Sequence, residues 1–132
     1  MYEYNVKVTR VVDGDTVDVD IDLGFGMIYK KQRVRLHGID TPESRTRDLV
    51  EKKYGKAAKA HLKGLLAGKV RMVCHDKGKF GRILGELFME LNDEWSSVNQ
   101  QMITDHHAVA YMGQSKEDIA EEHLVNRTKI EV

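Results

Sequence analysis

The sequence has almost no cysteine and no excess of charge. Cys74 is its only cysteine, so no disulfide can form within the chain and the fold must rest on its core, as is usual for intracellular proteins. The 21 basic and 21 acidic side chains give a formal net charge of zero, which excludes the global positive field of a protein that coats nucleic acid. Any phosphate partner must therefore be held locally.

The sequence also lacks membrane and export segments. No stretch approaches the ~20 apolar residues of a membrane span, and the first residues form neither a basic nor an apolar leader. We therefore expect no membrane partner, and an intracellular location if this chain is the full product. With 132 residues, 41% hydrophobic and 32% charged, the chain has the size and composition of one packed domain, at residues 1–132.

The first forty residues carry strand patterns. Frequent β-branched residues over 6–12, strict alternation of apolar residues with aspartate over 16–23, and alternation over 28–37 predict three strands. The Asp13-Gly14 dipeptide predicts the first turn, because it tolerates the positive φ of primed hairpin turns. The pattern predicts a three-stranded meander, and the only proline, Pro42, lies just beyond it.

The rest of the chain mixes helices and strands. Apolar residues at spacings of three and four over 50–67 predict the longest helix, with Gly68 as its C-terminal stop. Two strands, a short helix and a last helix with Ser115 at its N-cap are predicted over 70–74, 83–89, 98–104 and 115–126. Five strands and three helices predict an α+β fold, a five-stranded OB-type β-barrel with the helices packed on it.

Three polar clusters carry the candidate chemistry. They are Asp13 to Thr16, Arg35 to Glu43, and Lys79 to Arg82. Taken singly, each is explained as a hairpin turn, a strand end or a solvated basic turn. Taken together, they supply carboxylates for a hard divalent cation, a further carboxylate for water, and two guanidiniums for phosphate oxygens, which are the needs of phosphodiester hydrolysis. Structural ion pairs are the alternative, but a surface pair rarely contributes more than ~1 kcal/mol.

In their order and spacing, the clusters resemble the staphylococcal nuclease family. The likeness runs from about Val11 to Tyr111, and it includes Val50 to Gly55, Asp76 to Gly78 and Val98-Asn99. The resemblance implies an OB-fold barrel with three helices. It also implies a calcium-dependent nuclease that cuts DNA and RNA at the bond to the 5′ oxygen and leaves 3′-phosphate ends.

The resemblance assigns metal ligands by position. Asp15 and Asp40 match the family's calcium carboxylates, and the main-chain carbonyl of Thr41 matches a third protein ligand. Asp13 and Glu43 match residues that reach the metal through water. Oxygen donors of this kind suit calcium, whereas zinc would call for a Cys and His set that this chain does not arrange.

The resemblance places catalysis on Arg35, Glu43 and Arg82. Arg35 matches the arginine that binds the scissile phosphate, and Arg82 matches the arginine that stabilises the transition state and leaving group. Glu43 matches the carboxylate that places the attacking water or acts as its base. The planar, five-donor fork of arginine suits equatorial phosphate oxygens.

The nucleotide pocket departs from the family pattern. Lys79 matches a phosphate-contacting lysine and Tyr111 a base-stacking tyrosine. Phe80 stands where a phosphate-bonding tyrosine is usual, and Gly113 stands where a second pocket tyrosine is usual. We therefore expect an intact metal and arginine core, with substrate handling that is weaker or different.

Several other side chains receive no functional role. His61 and Tyr54 lie on the apolar stripe of the longest helix and are interpreted as core residues. The adjacent pair His106-His107 is a poor metal site, because neighbours in an extended segment point to opposite faces.

Three functions stay open on the sequence. Retention of the core residues favours a calcium-dependent nuclease, acting as a monomer on DNA and RNA with single strands preferred. The alternatives are a non-catalytic nucleic-acid-binding module and a calcium-binding or interaction domain. Neutral charge and the missing export signal set the chain apart from secreted, basic family members, and they suit an intracellular nuclease, one option being service to a phage or mobile element.

Overall fold

The computed structural model describes residues 2–77 and 82–132 of the chain. Lys79 and Phe80, to which the sequence analysis assigns substrate contacts, lie outside these ranges. In chain order the elements are β1 (Glu3–Asp13), β2 (Thr16–Gly24), β3 (Met27–Leu36), β4 (Ile39–Asp40), α1 (Leu49–Leu65), β5 (Val70–Lys77), β6 (Ile83–Leu91), β7 (Glu94–Ser97), α2 (Val98–Thr104), β8 (Val109–Ala110) and α3 (Lys116–Arg127).

Five strands close into a barrel. β1, β2 and β3 form the predicted antiparallel meander, β1 also pairs with β5, and β5 pairs with β6. A parallel ladder between β3 and β6 closes the barrel, and β7 pairs with β6 in an antiparallel ladder. The predicted α+β fold, an OB-type five-stranded barrel with three helices, is confirmed in the described residues.

The barrel interior and the inner faces of the helices share one hydrophobic cluster. Alternation along β2 and at the end of β3 turns every second residue inward, as strand geometry requires. Fully buried members of the cluster are Val17, Val19, Val34, Leu36, Leu62, Met72, Leu87, Val98 and Met102. None of the described helices is both long enough and apolar enough to cross a membrane.

The turn between β1 and β2 lies where predicted but for another reason. Gly14 is not among the described glycines with positive φ, so a primed turn does not explain it. A Cβ on Gly14 would instead come within 2.8 Å of Ala58 Cβ and 2.9 Å of Thr41 Oγ1. Glycine is needed because the turn packs closely against α1 and the segment after β4.

Asn99 at the start of α2 ties the end of β3 to β6. Its Nδ2 donates to the carbonyls of His37, at 2.9 Å, and Gly85, at 3.2 Å, while its Oδ1 accepts from the Leu87 amide at 3.1 Å. Asn99 is buried, so these bonds satisfy polar groups that water does not reach. They hold in place the strand end that carries the site.

Candidate functional site

Two shielded carboxylates share one guanidinium at the end of β3. Arg35 Nη1 lies 3.1 Å from Asp15 Oδ2, and Arg35 Nη2 lies 3.5 Å from Asp40 Oδ1. The exposed fraction of the side chain is 21% for Arg35, 13% for Asp15 and 30% for Asp40. The structure thus brings together two of the predicted metal ligands and the predicted phosphate-binding arginine.

Strand register explains this grouping. Thr16, the first residue of β2, pairs with Arg35 of β3, and the Leu36 amide donates to the Asp15 carbonyl at 2.8 Å. Asp15 is therefore held beside Arg35 by the backbone. Asp40 reaches the same guanidinium from β4, which follows β3 across a short turn.

Hydrogen bonds and burial set the charge state of Asp15. Its Oδ1 accepts from Thr16 Oγ1 at 3.0 Å, and its Oδ2 accepts from the Thr41 amide at 3.2 Å. Burial raises the pKa of Asp15 above its usual value, while the Arg35 guanidinium and these hydrogen bonds oppose the rise. A further cation beside Asp15 would favour its ionised form.

Glu43 is exposed, but its backbone is fixed from two sides. The next residue, Ser44, donates to Asp13 Oδ1 from its amide at 3.2 Å and from its hydroxyl at 2.5 Å. On the other side, Gly55 of α1 lies so close that a Cβ there would overlap the Glu43 carbonyl. The structure therefore places Asp13 against the segment that carries Glu43, and α1 supports that segment.

His123 is a site residue that the sequence analysis missed. It lies on α3, its side chain is 13% exposed, and its Nε2 is 2.8 Å from Asp40 Oδ2. The contact joins residues 83 positions apart. No local pattern signals such a contact, since one histidine on a helix does not reveal which distant strand it meets.

Arg82 and Tyr111 approach the site from other elements. Arg82 is exposed and immediately precedes β6, whose first residue, Ile83, pairs with Val34, the neighbour of Arg35. Tyr111 follows β8, and its amide donates to the Gly38 carbonyl at 2.8 Å. The backbone of both residues therefore lies next to the end of β3.

A surface cavity of about 310 Å³ lies between Arg35 and Tyr111. Tyr111 is 44% exposed, so its ring is accessible at the edge of the cavity. An aromatic ring beside a guanidinium suits a nucleobase and its phosphate. Gly113 also lines the cavity with φ +83°, a conformation in which a tyrosine would be strained. Glycine at position 113 therefore allows a backbone conformation that a tyrosine would disfavour.

Two histidines without an assigned role, His61 and His107, form contacts of their own. His61 is half-buried, with Nε2 2.6 Å from Asp105 Oδ2, and its ring stacks on His107 at a centroid distance of 4.4 Å. Tyr54 is partly buried, and the Arg127 guanidinium lies over its ring at 5.2 Å. Within residues 2–77 and 82–132, no three His, Cys, Asp or Glu side chains gather as a metal cage. The acids at the site come as the pair Asp15 and Asp40.

The chain belongs to the staphylococcal nuclease family. The family model described as staphylococcal nuclease homologue matches residues 33–129, which takes in the end of β3, the helices and the strands between them. The matched region contains Arg35, Asp40, Glu43 and Arg82, and Asp15 lies before it.

Three relatives illustrate the likeness. The thermonuclease of Staphylococcus hyicus is 37% identical over 90 residues, 66% of this chain and 50% of that protein. An uncharacterized endonuclease of Escherichia coli is 35% identical over 98 residues, 74% of this chain and 54% of that protein. An uncharacterized pXO1 protein of Bacillus anthracis is 40% identical over 86 residues, 62% of this chain and 37% of that protein. The chain thus spans about half the length, or less, of these curated relatives.

Proposed function

We propose that this protein is a calcium-dependent nuclease that hydrolyses phosphodiester bonds in DNA and RNA. One observation carries the proposal: Arg35 lies between two shielded carboxylates, Asp15 and Asp40, in a family member. The names of two relatives, a thermonuclease and an endonuclease, support the same activity. By the family resemblance, cleavage would break the bond to the 5′ oxygen and leave a 3′-phosphate end.

The donor chemistry fits calcium. Asp15, Asp40 and the Thr41 carbonyl would hold the ion with hard oxygen donors, and the buried Thr41 hydroxyl has no hydrogen-bond partner among the described residues. Bound calcium would supply positive charge that polarises a phosphate oxygen. Asp13 and Glu43 would meet it through water.

The side chains divide the remaining work. Arg35 would hold the scissile phosphate with its guanidinium, and Arg82 would stabilise the charge that develops on the phosphate and the leaving oxygen. Glu43 would position the attacking water or take its proton as the P–O5′ bond breaks and the 5′ oxygen gains a proton. Tyr111 would stack on a base, and Lys79 and Phe80 would contact the same nucleotide.

Cleavage in calcium and in chelator tests the proposal. Purified protein is incubated with end-labelled single-stranded DNA or RNA, and the products are checked for 3′-phosphate ends with a phosphatase. We expect cleavage in calcium only, strongly reduced in Asp15→Asn. The matched control is Asp18→Asn, which removes an aspartate bonded to another arginine of β3 at 2.9 Å.

The alternatives give different results in the same tubes. A non-catalytic nucleic-acid-binding module would bind the strand without cleaving it in either condition. A calcium-binding or interaction domain would bind calcium but would neither bind nor cleave the strand. Either result would overturn the nuclease proposal.

We also propose that residues 1–132 act as one unit, as a monomer inside the cell. The single hydrophobic cluster and the one, partly buried, free cysteine support this proposal. The mobile-element-encoded relative of Bacillus anthracis supports a mobile-element setting. Sedimentation of the protein with and without DNA would detect a dimer, which would contradict the monomer.

A further inference from the structure

A second surface cavity, of about 530 Å³, lies beside the Glu43 segment and is strongly basic. We call it the basic groove. Its described lining consists of Ser44, Thr46 and five cationic residues, Arg45, Arg47, Lys52, Lys56 and Lys59. None of these lining residues is acidic. Five cations around one cavity create a strong local field in a chain whose formal net charge is zero.

Helix geometry aligns three of the cations. Lys52, Lys56 and Lys59 follow one another at spacings of four and three on α1, so they share one side of the helix. The side that faces the core carries Gly55 and Ala58. At 1.5 Å per residue, the three lysines span roughly 10 Å, and one nucleic-acid strand carries a phosphate about every 3.4 Å in a duplex. The row is thus long enough for two or three phosphates.

The cations of the basic groove form no ion pairs with acids among the described residues. The ion pairs found among the described residues join Arg33, Arg35 and three histidines to acids, and none includes a cation of the groove. The nearby Asp48 is used as the N-cap of α1, where its Oδ1 accepts from the amides of Val50 and Glu51 at 3.0 and 3.1 Å. The groove therefore keeps its positive charge for an external anion.

Two other lysine-lined cavities among the described residues carry acids as well as cations. Lys7 and Lys30 line a cavity together with Asp20 and Asp22. Lys69 lines another with Arg71, Glu90 and Asp93. The excess of cations thus distinguishes the basic groove from these two cavities.

The basic groove adjoins the segment that carries Glu43. Ser44 lines the groove and donates both its amide and its hydroxyl to Asp13 Oδ1. Glu43 is the preceding residue. A strand that runs from Glu43 into the groove would meet the lysines of α1.

We propose that the basic groove binds the phosphate backbone of a nucleic-acid strand beyond the scissile phosphate, so that long strands are bound and cut better than short ones. The inference rests on the proposed nuclease function and adds a second contact region to it. The lysines contact phosphates and not bases, so the preference is for length and not for sequence.

The test compares two triple variants of equal charge. The groove variant carries Lys52→Gln, Lys56→Gln and Lys59→Gln, which remove the three lysines of α1 that line the groove. The control, Lys7→Gln, Lys30→Gln and Lys69→Gln, removes three exposed lysines elsewhere.

Binding of a labelled 20-nucleotide single strand is followed by fluorescence anisotropy in chelator at several salt concentrations. Because each phosphate contact contributes about 0.7 to the salt slope of a single strand, the groove variant should lose roughly 2 from that slope and bind about tenfold or more weakly at 0.1 M salt.

Cleavage then separates this inference from the nuclease proposal. In calcium, the groove variant should lose kcat/KM on the long strand and keep it on a dinucleotide, which is too short to reach the groove. Equal losses in the groove variant and the control would overturn the groove while leaving the nuclease in place. If the native protein binds the strand through the groove but never cuts it, only the nuclease proposal would be overturned. If the groove variant lost binding to anionic lipid vesicles but bound DNA as well as the native protein does, the groove would not be a nucleic-acid site.

Discussion

Arg33 and Arg35 lie two residues apart on β3, and each is bonded to an aspartate, but their surroundings differ. The Arg33 side chain is 48% exposed beside Asp18, whereas the Arg35 side chain is 21% exposed and is shared by Asp15 and Asp40. A solvated pair contributes little to stability, and a shielded guanidinium interacts strongly with any anion that reaches it. The two arginines are therefore a natural pair for comparison.

We predict that Arg35→Lys lowers the cleavage rate about a hundredfold or more, because lysine cannot present the paired donors of the guanidinium to phosphate oxygens. Arg33→Lys should leave the rate within about twofold and cost less than about 1 kcal/mol of stability. Initial rates on single-stranded DNA in calcium and urea unfolding give both quantities. An Arg35→Lys enzyme with a near-normal rate would remove Arg35 from the mechanism.

His123 holds Asp40 from α3, and we predict a positioning role for it. His123→Gln should weaken calcium binding by about tenfold, because the partners that orient a ligand affect metal affinity to that degree. His75→Gln is the matched control, since His75 also contacts a carboxylate, with its Nε2 3.3 Å from Glu86 Oε1. Calcium titration followed by calorimetry measures the effect. Equal calcium affinity in the two variants would show that His123 does not position Asp40.

The sequence singles out Asp15, Arg35 and Asp40, which the structure brings together, but it gives no sign of the contact between His123 and Asp40. Asp15, Arg35 and Asp40 stand next to turns and strand ends, where polar residues in a regular pattern are visible in the chain itself. His123 acts through one contact with Asp40 that exists only once α3 has packed. Such a residue becomes visible only in the folded protein.

At the scale of elements, α1 supports the Glu43 segment through Gly55. We predict that Gly55→Ala destabilises the protein by about 1–3 kcal/mol and lowers the cleavage rate, because the new methyl group must displace the Glu43 carbonyl. Gly64→Ala on the same helix is the control. A Cβ at Gly64 meets nothing within 4 Å, so this change should stabilise the helix by about 0.5–1 kcal/mol.

Urea unfolding and initial rates on both glycine variants check this prediction. The loss of rate in Gly55→Ala should persist at temperatures where the variant is fully folded by circular dichroism. A folded Gly55→Ala protein with the native rate would show that α1 does not position Glu43.

The elements that were predicted and those that were missed differ in length. Long periodic segments were found within a few residues, as with α1, predicted at 50–67 and observed at Leu49–Leu65. β4 and β8, of two residues each, and β7 are too short to show a period. The parallel ladder of β3 with β6 joins distant segments, and the pairing of Val34 with Ile83 has no local signature.

At the scale of the whole molecule, the absence of net charge conceals a separation of charge. Asp15 and Asp40 flank Arg35 at the end of β3, and the basic groove lies along α1 beside Ser44, which donates to Asp13. A cation and a polyanion would therefore meet at the boundary between the two. If the groove binds a strand as proposed, this arrangement would give local attraction for nucleic acid without the indiscriminate binding of a strongly basic protein.

The histidine cluster formed by His61, His107 and Asp105 links α1 to the segment after α2 and makes stability depend on pH. Burial, and then the charge of His61, lower the pKa of His107 below its usual value of 6.5, and Asp105 opposes that shift in part. Below about pH 6.5 the unfolded chain therefore binds more protons at this position than the folded protein does. The contribution of His107 to the free energy of unfolding is therefore fully present above pH 6.5 and decreases as the pH falls below that value.

We predict that His107→Asn reduces the stability lost between pH 7.5 and pH 5.5, by less than about 1 kcal/mol because the half-exposed ring is screened by solvent. Urea unfolding of the native protein and the variant at both pH values measures the difference. The interval from pH 7.5 to pH 8.5 is the internal control, since His107 is neutral there in both the folded and the unfolded state. If the native protein and the variant lose the same stability on acidification, the neutral form of His107 is not favoured by folding.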